Sequence, residues 1–139
     1  MVILFAFFGV LCWGLAPIFG KLGLQGVNPV TALSLRTFMA AIMVFSWVSV
    51  TRGFSDIINV SPSLWIYIMI EAILATLLGD LAYFIALKYG NVNQVSIIMS
   101  CAPVITMLAS FFFLEEYASN RQIFGGLLIT LGLALVCSE

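Results

Sequence analysis

Residues 2–20 read VILFAFFGVLCWGLAPIFG, a run of apolar and small residues with no charged side chain. A helix rises about 1.5 Å per residue, so this run nearly matches the roughly 30 Å of hydrocarbon in a bilayer. It lacks the basic region and the small-x-small cleavage pattern of a signal peptide. We therefore expect it to form the first membrane helix.

The rest of the chain repeats this pattern between short polar connections. Asn28 and Pro29 form a helix start signal, with Asn at the N-cap and Pro at the first helical position. The longest connection is 51–62. The third apolar stretch contains Glu71 and Asp80, but a break there would leave pieces too short to span a bilayer, which favours one long helix. The five predicted helices cover residues 2–20, 29–50, 63–88, 94–114 and 122–138.

Composition points to the same class of protein. Hydrophobic residues make up 63% of the chain and charged residues 8%, whereas soluble proteins carry about 25% charged residues. With so few charges the outer surface must face lipid. We predict an all-α fold, with residues 1–139 forming one multi-pass bundle of five transmembrane helices in the cell (inner or plasma) membrane.

Several functions are disfavoured by the residue content. The net charge of −1 gives no argument for nucleic-acid binding. Histidine is absent, and the three cysteines lack metal-ligand spacing, so we expect no metal or other cofactor. Without a nucleophile–base pair or a phosphate-binding loop, we expect no enzymatic activity.

The cations do not orient the five helices. One predicted side collects Arg52 and Arg121, and the other collects Lys21 and Lys88, while Arg36 lies within a span. Such a tie leaves the positive-inside rule with almost nothing to act on. Two interpretations stay open: dual topology, or a fixed topology set by the insertion machinery or by a partner chain.

Arg36 and Asp80 are predicted to pair in the protein interior, at membrane depth. A charge near the bilayer centre costs roughly 2.5–3.5 kcal/mol on insertion scales, so such residues tend to be paired and functional. Arg36 lies about 10 Å, and Asp80 about 12 Å, from the side that holds Lys21. The pair is interpreted either as a brace between the second and third helices or as part of a substrate site.

Glu71 has no cation at its depth in this chain. It lies nine residues before Asp80, which places the two acids on opposite faces of an ideal helix. An apolar surrounding favours a protonated carboxyl, and proton coupling is the functional alternative. In an inverted pair, Glu71 of one copy would lie level with Arg36 of the other.

Further polar and aromatic residues extend the candidate site. Thr76, Asp80 and Tyr83 share a helix face at i, i+4 and i+7. Pro17 and Pro103 free backbone carbonyls in the first and fourth helices, as in many transporter sites, although an ordinary proline kink satisfied by serine hydroxyls fits the same pattern. The candidate substrate-binding residues are Trp13, Arg36, Thr76, Asp80, Tyr83 and Ser100.

The fifth predicted helix carries glycines on a common face. Gly125 and Gly132 are seven residues apart, so they permit close approach of another helix. Together with Gly126 they form a predicted packing or dimer seam.

Several short motifs, taken in order, resemble one family. They are Trp13-Gly14 through Lys21, Asn28-Pro29, Leu35-Arg36-Thr37-Phe38, Ala86-Leu87-Lys88-Tyr89-Gly90, Ala102-Pro103-Val104, Glu115-Glu116 and Gly125 to Gly132. This order is similar to that of an EamA-type domain of the drug/metabolite transporter superfamily, over nearly the whole chain. Members usually carry two five-helix repeats of inverted topology, so the resemblance implies one half of an inverted-repeat transporter, as in the short bacterial and archaeal branch.

The last helix is also similar to the dimerisation helix of small multidrug resistance transporters. Those exporters use a glutamate in the first helix, and residues 2–20 contain no acid, so their coupling mechanism does not carry over. The expected function is secondary transport of a small metabolite or drug-like molecule by alternating access. The expected partners are a second, inverted copy or a homologous half-transporter, the substrate and the lipid bilayer. The alternative is a non-transporting membrane subunit that scaffolds or regulates a larger complex.

Overall fold

The computed structural model describes residues 1–51 and 53–137 and is all-α within them, which confirms the predicted fold class. Two features used above, the cation of Arg52 and the helix end at Ser138, lie outside these described residues. The helices are α1 Val2–Gly23, α2 Pro29–Thr51, α3 Phe54–Ile58, α4 Pro62–Ala72, α5 Asp80–Tyr89, α6 Val92–Met99, α7 Ala102–Phe113 and α8 Asn120–Cys137, and the π-helical segment Ile73–Gly79 joins α4 to α5.

Within residues 1–51 and 53–137, four helical stretches are long and apolar enough to cross a membrane. They are Val2–Gly23, Pro29–Thr51, Pro62–Tyr89 and Val92–Phe113, and a shorter apolar helix, Asn120–Val136, follows them. Their side chains are mostly exposed, as expected for helices that face lipid rather than water. The chain is therefore a multi-pass membrane domain with five apolar helical segments.

Local capping explains where these helices begin. The Val30 amide donates to the Asn28 side-chain oxygen at 2.9 Å, which confirms the predicted start of α2. Asn91 caps α6 in the same way, through the Asn93 amide at 2.9 Å. The fourth predicted helix therefore starts at Val92, two residues before its predicted position.

A capping box, which the sequence reasoning missed, starts α8 at Asn120 rather than at residue 122. The Ser119 amide donates to Gln122 Oε1 at 2.7 Å, and the Gln122 amide donates back to Ser119 Oγ at 3.4 Å. The signal is visible in the sequence as Ser-x-x-Gln ahead of an apolar run.

Replacement of the capping serine gives a local test of this structure. We expect Ser119→Ala to lower the free energy of unfolding by about 1 kcal/mol, because an amide of α8 loses its acceptor. Ser61→Ala is the matched control, since Ser61 is the N-cap of α4 without a side-chain cap bond. Reversible unfolding in mixed micelles measures both, and equal losses would contradict the capping role.

Two connections differ from the predicted pattern. The long connection contains the short helix α3, and the fourth span is interrupted between Met99 and Ala102. Pro103 has no amide hydrogen to donate to the Met99 carbonyl, and its ring opposes a regular helix there. The chain instead makes a tight bond from the Cys101 amide to the Ile98 carbonyl at 3.1 Å. By contrast, α1 continues through Pro17.

The chain forms two compact units. One comprises Ile18–Tyr89, and its buried core includes Leu24, Leu33, Phe84 and Leu87. Here α5 packs on α2. A methyl group added at Gly20 would lie only 3.1 Å from Leu87 Cδ2, so glycine lets α1 approach α5 closely.

The other unit comprises Met1–Pro17 and Gly90–Glu139, in which α8 contacts α6 and α7. Val95 of α6 is buried. Gly126 is also buried, and a methyl group there would lie 3.2 Å from the Met107 side chain of α7. Gly126 thus serves packing inside its own chain.

Candidate functional site

The predicted pairing of Arg36 with Asp80 is confirmed. Arg36 projects from α2, Asp80 opens α5, and the guanidinium Nη2 donates to Asp80 Oδ2. The guanidinium carbon also lies 5.3 Å from the centre of the Phe84 ring, one turn further along α5. A carboxylate and an aromatic ring therefore hold the guanidinium in place.

This ion pair was expected in the protein interior, but it lies at the surface of its unit. The Arg36 side chain is 47% exposed and that of Asp80 is 26% exposed. Ionised groups at the depth of a membrane-spanning helix are tolerated when they face a water-filled cavity or protein rather than hydrocarbon. The exposed side of the pair therefore needs a cover or a cavity beyond this unit.

Tyr83 joins the pair on α5. Its ring centre lies 5.8 Å from that of Phe84, and it follows Asp80 by three residues, or about one helical turn. The resulting cluster, defined as Arg36, Asp80, Tyr83 and Phe84, combines both charge signs with two aromatic rings. It can bind a ligand through hydrogen bonds, charge and ring contact.

Two lysines brace the C-terminal end of α5. Lys21 Nζ donates to the Leu87 carbonyl at 2.6 Å and to the Lys88 carbonyl at 3.1 Å. Lys88 Nζ in turn donates to the Val27 carbonyl at 2.8 Å. From the sequence, both lysines are predicted only to influence topology, although a lysine in a last helical turn is a known C-terminal capping signal.

Loss of the brace should be measurable. We expect Lys21→Met to lower the free energy of unfolding by about 1.5–3 kcal/mol, because two carbonyls lose a charged donor while much of the apolar stem is retained. Lys21→Arg should recover part of the loss. Thermal unfolding in detergent tests this, and a Lys21→Met variant as stable as the parent would show that the brace contributes little.

The remaining predicted residues of this unit lie on the N-terminal side of the cluster. Thr76 lies inside the π-helical segment and is half-buried. Glu71 lies on α4 and is exposed, and it takes part in no ion pair within the described part of the chain. Glu71 and Asp80 were predicted on opposite faces of an ideal α-helix. Residues 73–79 are π-helical and turn by a smaller angle per residue, so this prediction does not hold.

Trp13 and Ser100 belong to the other unit. The Trp13 side chain is exposed on α1, and the Ser100 hydroxyl donates to the Ile97 carbonyl at 2.6 Å within the interruption of the fourth span. Around Gly125 and Gly132, a methyl group would meet no atom within 4 Å. Both glycines therefore remain available to an approaching helix.

An open groove of about 480 Å³ runs along the C-terminal half of α2. Its lining is apolar apart from Ser46, whose hydroxyl bonds the Ile42 carbonyl of the same helix at 2.8 Å. It offers no charge, so the cluster is the better candidate site. Among residues 1–51 and 53–137, no group of three or more potential ligands is placed to hold a metal ion.

Comparisons with known proteins find relatives that are named as transporters. Over 85% of its own length, the chain is 28% identical to an uncharacterized transporter of Synechocystis. Over 96% of its own length, it is 29% identical to the uncharacterized inner membrane transporter YhbE of Escherichia coli. It is 25% identical to the riboflavin transporter ImpX of Fusobacterium nucleatum over 94% of its length. No solved structure matches the chain.

The chain spans less than half the length of these relatives, with alignments that cover 34%, 41% and 44% of them. The model of the EamA-like transporter family matches residues 1–138 of the chain. The charged cluster thus sits in a membrane domain of recognised type, and the chain belongs to the EamA-like transporter family.

Proposed function

We propose that this chain is a cell-membrane secondary transporter for a small metabolite or drug-like molecule and that it works by alternating access. The observation that carries the proposal is the partly exposed Arg36–Asp80 pair. A substrate site must open to its ligand, and both side chains of this pair can be reached from outside their unit. Family membership and relatives named as transporters support the same function.

The Arg36–Asp80–Tyr83–Phe84 cluster is the proposed substrate site. The two charges cancel, so the site suits a neutral or zwitterionic molecule that exchanges with the internal ion pair. The rings of Tyr83 and Phe84 supply aromatic contact. Thr76 of the same unit, and Trp13 and Ser100 of the other unit, stay sequence-based predictions for substrate contact.

A second, inverted copy of the chain is the proposed cover for this site. Transporters commonly place their sites near the midplane between inverted repeats. The five apolar helical segments of this chain correspond to one such repeat. Gly125 and Gly132 of α8 are the proposed contact residues between copies, since both have open space around them. Gly126, the third predicted seam residue, is buried against α7.

Glu71 is the proposed proton-coupling residue. It is exposed on a membrane-spanning helix and takes part in no ion pair within the described residues. Asp80, by contrast, has Arg36 beside it. Binding and release of a proton at Glu71 would then drive the exchange between inward-open and outward-open states.

Proteoliposomes test this function. We expect a panel of neutral and zwitterionic solutes, including riboflavin because one relative is named for it, to contain a substrate whose uptake responds to a pH gradient. Glu71→Gln should abolish that response, because an amide carries no titratable proton. Glu116→Gln, outside the apolar spans, is the control and should remain coupled.

Two results would contradict the proposal. Absence of substrate-dependent flux from correctly folded protein would remove the transport function and favour the scaffold alternative. Unchanged coupling in Glu71→Gln would rule out Glu71 as the proton carrier while leaving transport itself intact.

A further inference from the structure

The third span contains an irregularity between its two acids. Residues Ile73–Gly79 form a π-helix, which ends where the Asp80 amide donates to the Ala75 carbonyl, five residues earlier. A π-bulge holds one more residue in its turn than an α-helix, and such bulges occur frequently at functional sites. The segment separates Glu71 from Asp80.

Gly79 is the residue that suits this geometry. A methyl group added there would lie 3.0 Å from the Leu74 carbonyl oxygen, which is closer than ordinary contacts of such groups. A regular α-helix presents no such conflict, since alanine is its most favourable residue. Any larger residue at position 79 therefore disfavours the π form relative to the α form.

The two ends of the segment are held differently. On the C-terminal side, α5 is fixed by the Arg36–Asp80 pair, by the buried Leu87 and by the lysine brace. On the N-terminal side, every residue of α4 from Pro62 to Ala72 is exposed. A change within the segment would therefore move α4 and leave α5 in place.

We propose that the π-helical segment is a swivel that sets the direction of Glu71, with Gly79 as its positioning residue. When the seven residues refold as α-helix, the extra residue of the π turn becomes an ordinary residue of the α-helix. One residue of an α-helix corresponds to a rotation of about 100° and a rise of about 1.5 Å. Glu71 then turns by about 100° relative to Asp80, while the Arg36–Asp80 pair stays formed.

The Glu71 carboxylate would then have two orientations, one in each form of the segment. In one form Glu71 points about 80° from Asp80 around the helix axis, and in the other the two acids point in opposite directions. A group that alternates between two surroundings meets the basic requirement for taking up a proton from one and releasing it to another. The swivel itself depends only on the backbone of this span, so it stands apart from the identity of any substrate.

Pulsed electron spin resonance tests the swivel without a transport assay. Cys12, Cys101 and Cys137 are first replaced by alanine, and nitroxide labels are placed at Met69 on α4 and Met39 on α2, which are both exposed. The wild type should show two distances. Rotation by about 100° moves a side chain at a radius of about 5–6 Å by about 8 Å, which this method resolves.

Two variants assign those distances. Gly79→Ala should shift the population strongly toward the distance of the α form, since its methyl group would crowd the Leu74 carbonyl oxygen in the π form. Deletion of Leu78 removes the extra residue of the π-bulge, so the span should form a continuous α-helix. In that helix α4 keeps the orientation relative to α5 that it has in the π form, so the Met69–Met39 distance should equal that of the π form. Labels at Ile85 and Met39 are the control and should report one unchanged distance, because α5 stays on α2.

A single Met69–Met39 distance in wild type would reduce the segment to a fixed kink and overturn the proposal. Equal movement of the Ile85–Met39 pair would also overturn it, because the whole helix would then be shifting. If Gly79→Ala fails to fold, the deletions remain decisive. Removal of Leu78 should be tolerated, whereas removal of Ala86 should prevent folding by turning Leu87 and Lys88 away from their contacts with α1 and its following loop.

Discussion

Loss of either partner of the Arg36–Asp80 pair is expected to reduce folded protein more than loss of both. Arg36→Ala leaves an unpaired carboxylate at membrane depth, and Asp80→Ala leaves an unpaired guanidinium. An uncompensated charge there costs up to about 2.5–3.5 kcal/mol, or roughly a hundredfold in the folded fraction. The double variant removes both charges together and should recover much of this loss.

A double-mutant cycle on folded yield and on unfolding in mixed micelles measures the coupling. Ser34→Ala is the control on the same helix, because its hydroxyl only bonds the Val30 carbonyl within α2, at 2.8 Å. Additive losses from the two single changes would show that the pair contributes no interaction energy. The internal brace and the substrate site would then both lose their basis.

A few added lysines are expected to decide the orientation of the whole chain. Since the cations of the connecting segments are evenly split, Asn59→Lys with Ser61→Lys should place the 51–62 connection in the cytoplasm. Leu22→Lys with Gln25→Lys should place the opposite side there. C-terminal fusions to a cytoplasm-active and a periplasm-active reporter measure this, with glutamine at the same positions as the control.

The unmodified chain should give intermediate signals from both reporters, and each lysine variant should give nearly all its signal from one. If function requires an inverted pair, each lysine variant alone should be inactive while their co-expression restores activity. An unmodified chain that reports one side only would defeat dual topology. A separate inverted partner or a parallel dimer would then remain.

Elementary geometry explains why the sequence predicted the helices and the main ion pair. Bilayer thickness fixes the length of each apolar run, and the rise of about 1.5 Å per residue converts residue counts into depth. Arg36 and Asp80 could be matched because each lies a countable distance from a recognisable helix end. Asn28-Pro29 was similarly readable because the capping interaction is local.

The parts that the sequence did not predict depend on non-local competition. The amides of residues 73–79 can bond to the fourth preceding carbonyl, as in an α-helix, or to the fifth, as in a π-helix, and the two forms differ little in energy. In the sequence, Gly79 is a weak indicator of the π form. The bonds from Lys21 to the end of α5 join residues 66 and 67 positions apart, so they exist only once α1 and α5 pack. Of the two prolines, Pro103 interrupts its helix and Pro17 does not, a difference that composition alone does not contain.

Disulfide cross-linking through α8 tests the inverted pair most directly. Gly125 lies five residues after the first residue of α8, and Gly132 lies five residues before the last. Two antiparallel copies of α8 packed at their midpoints therefore place Gly125 of one copy beside Gly132 of the other. Cysteine should be tolerated at both positions, because each has open space around it.

In a chain without its native cysteines, Gly125→Cys and Gly132→Cys are made in separate copies that carry tags of different size. We expect a cross-link between the two variants in mixed membranes and none in membranes that contain either variant alone. Cross-links within each single variant, without the mixed product, would show parallel packing and contradict the inverted pair.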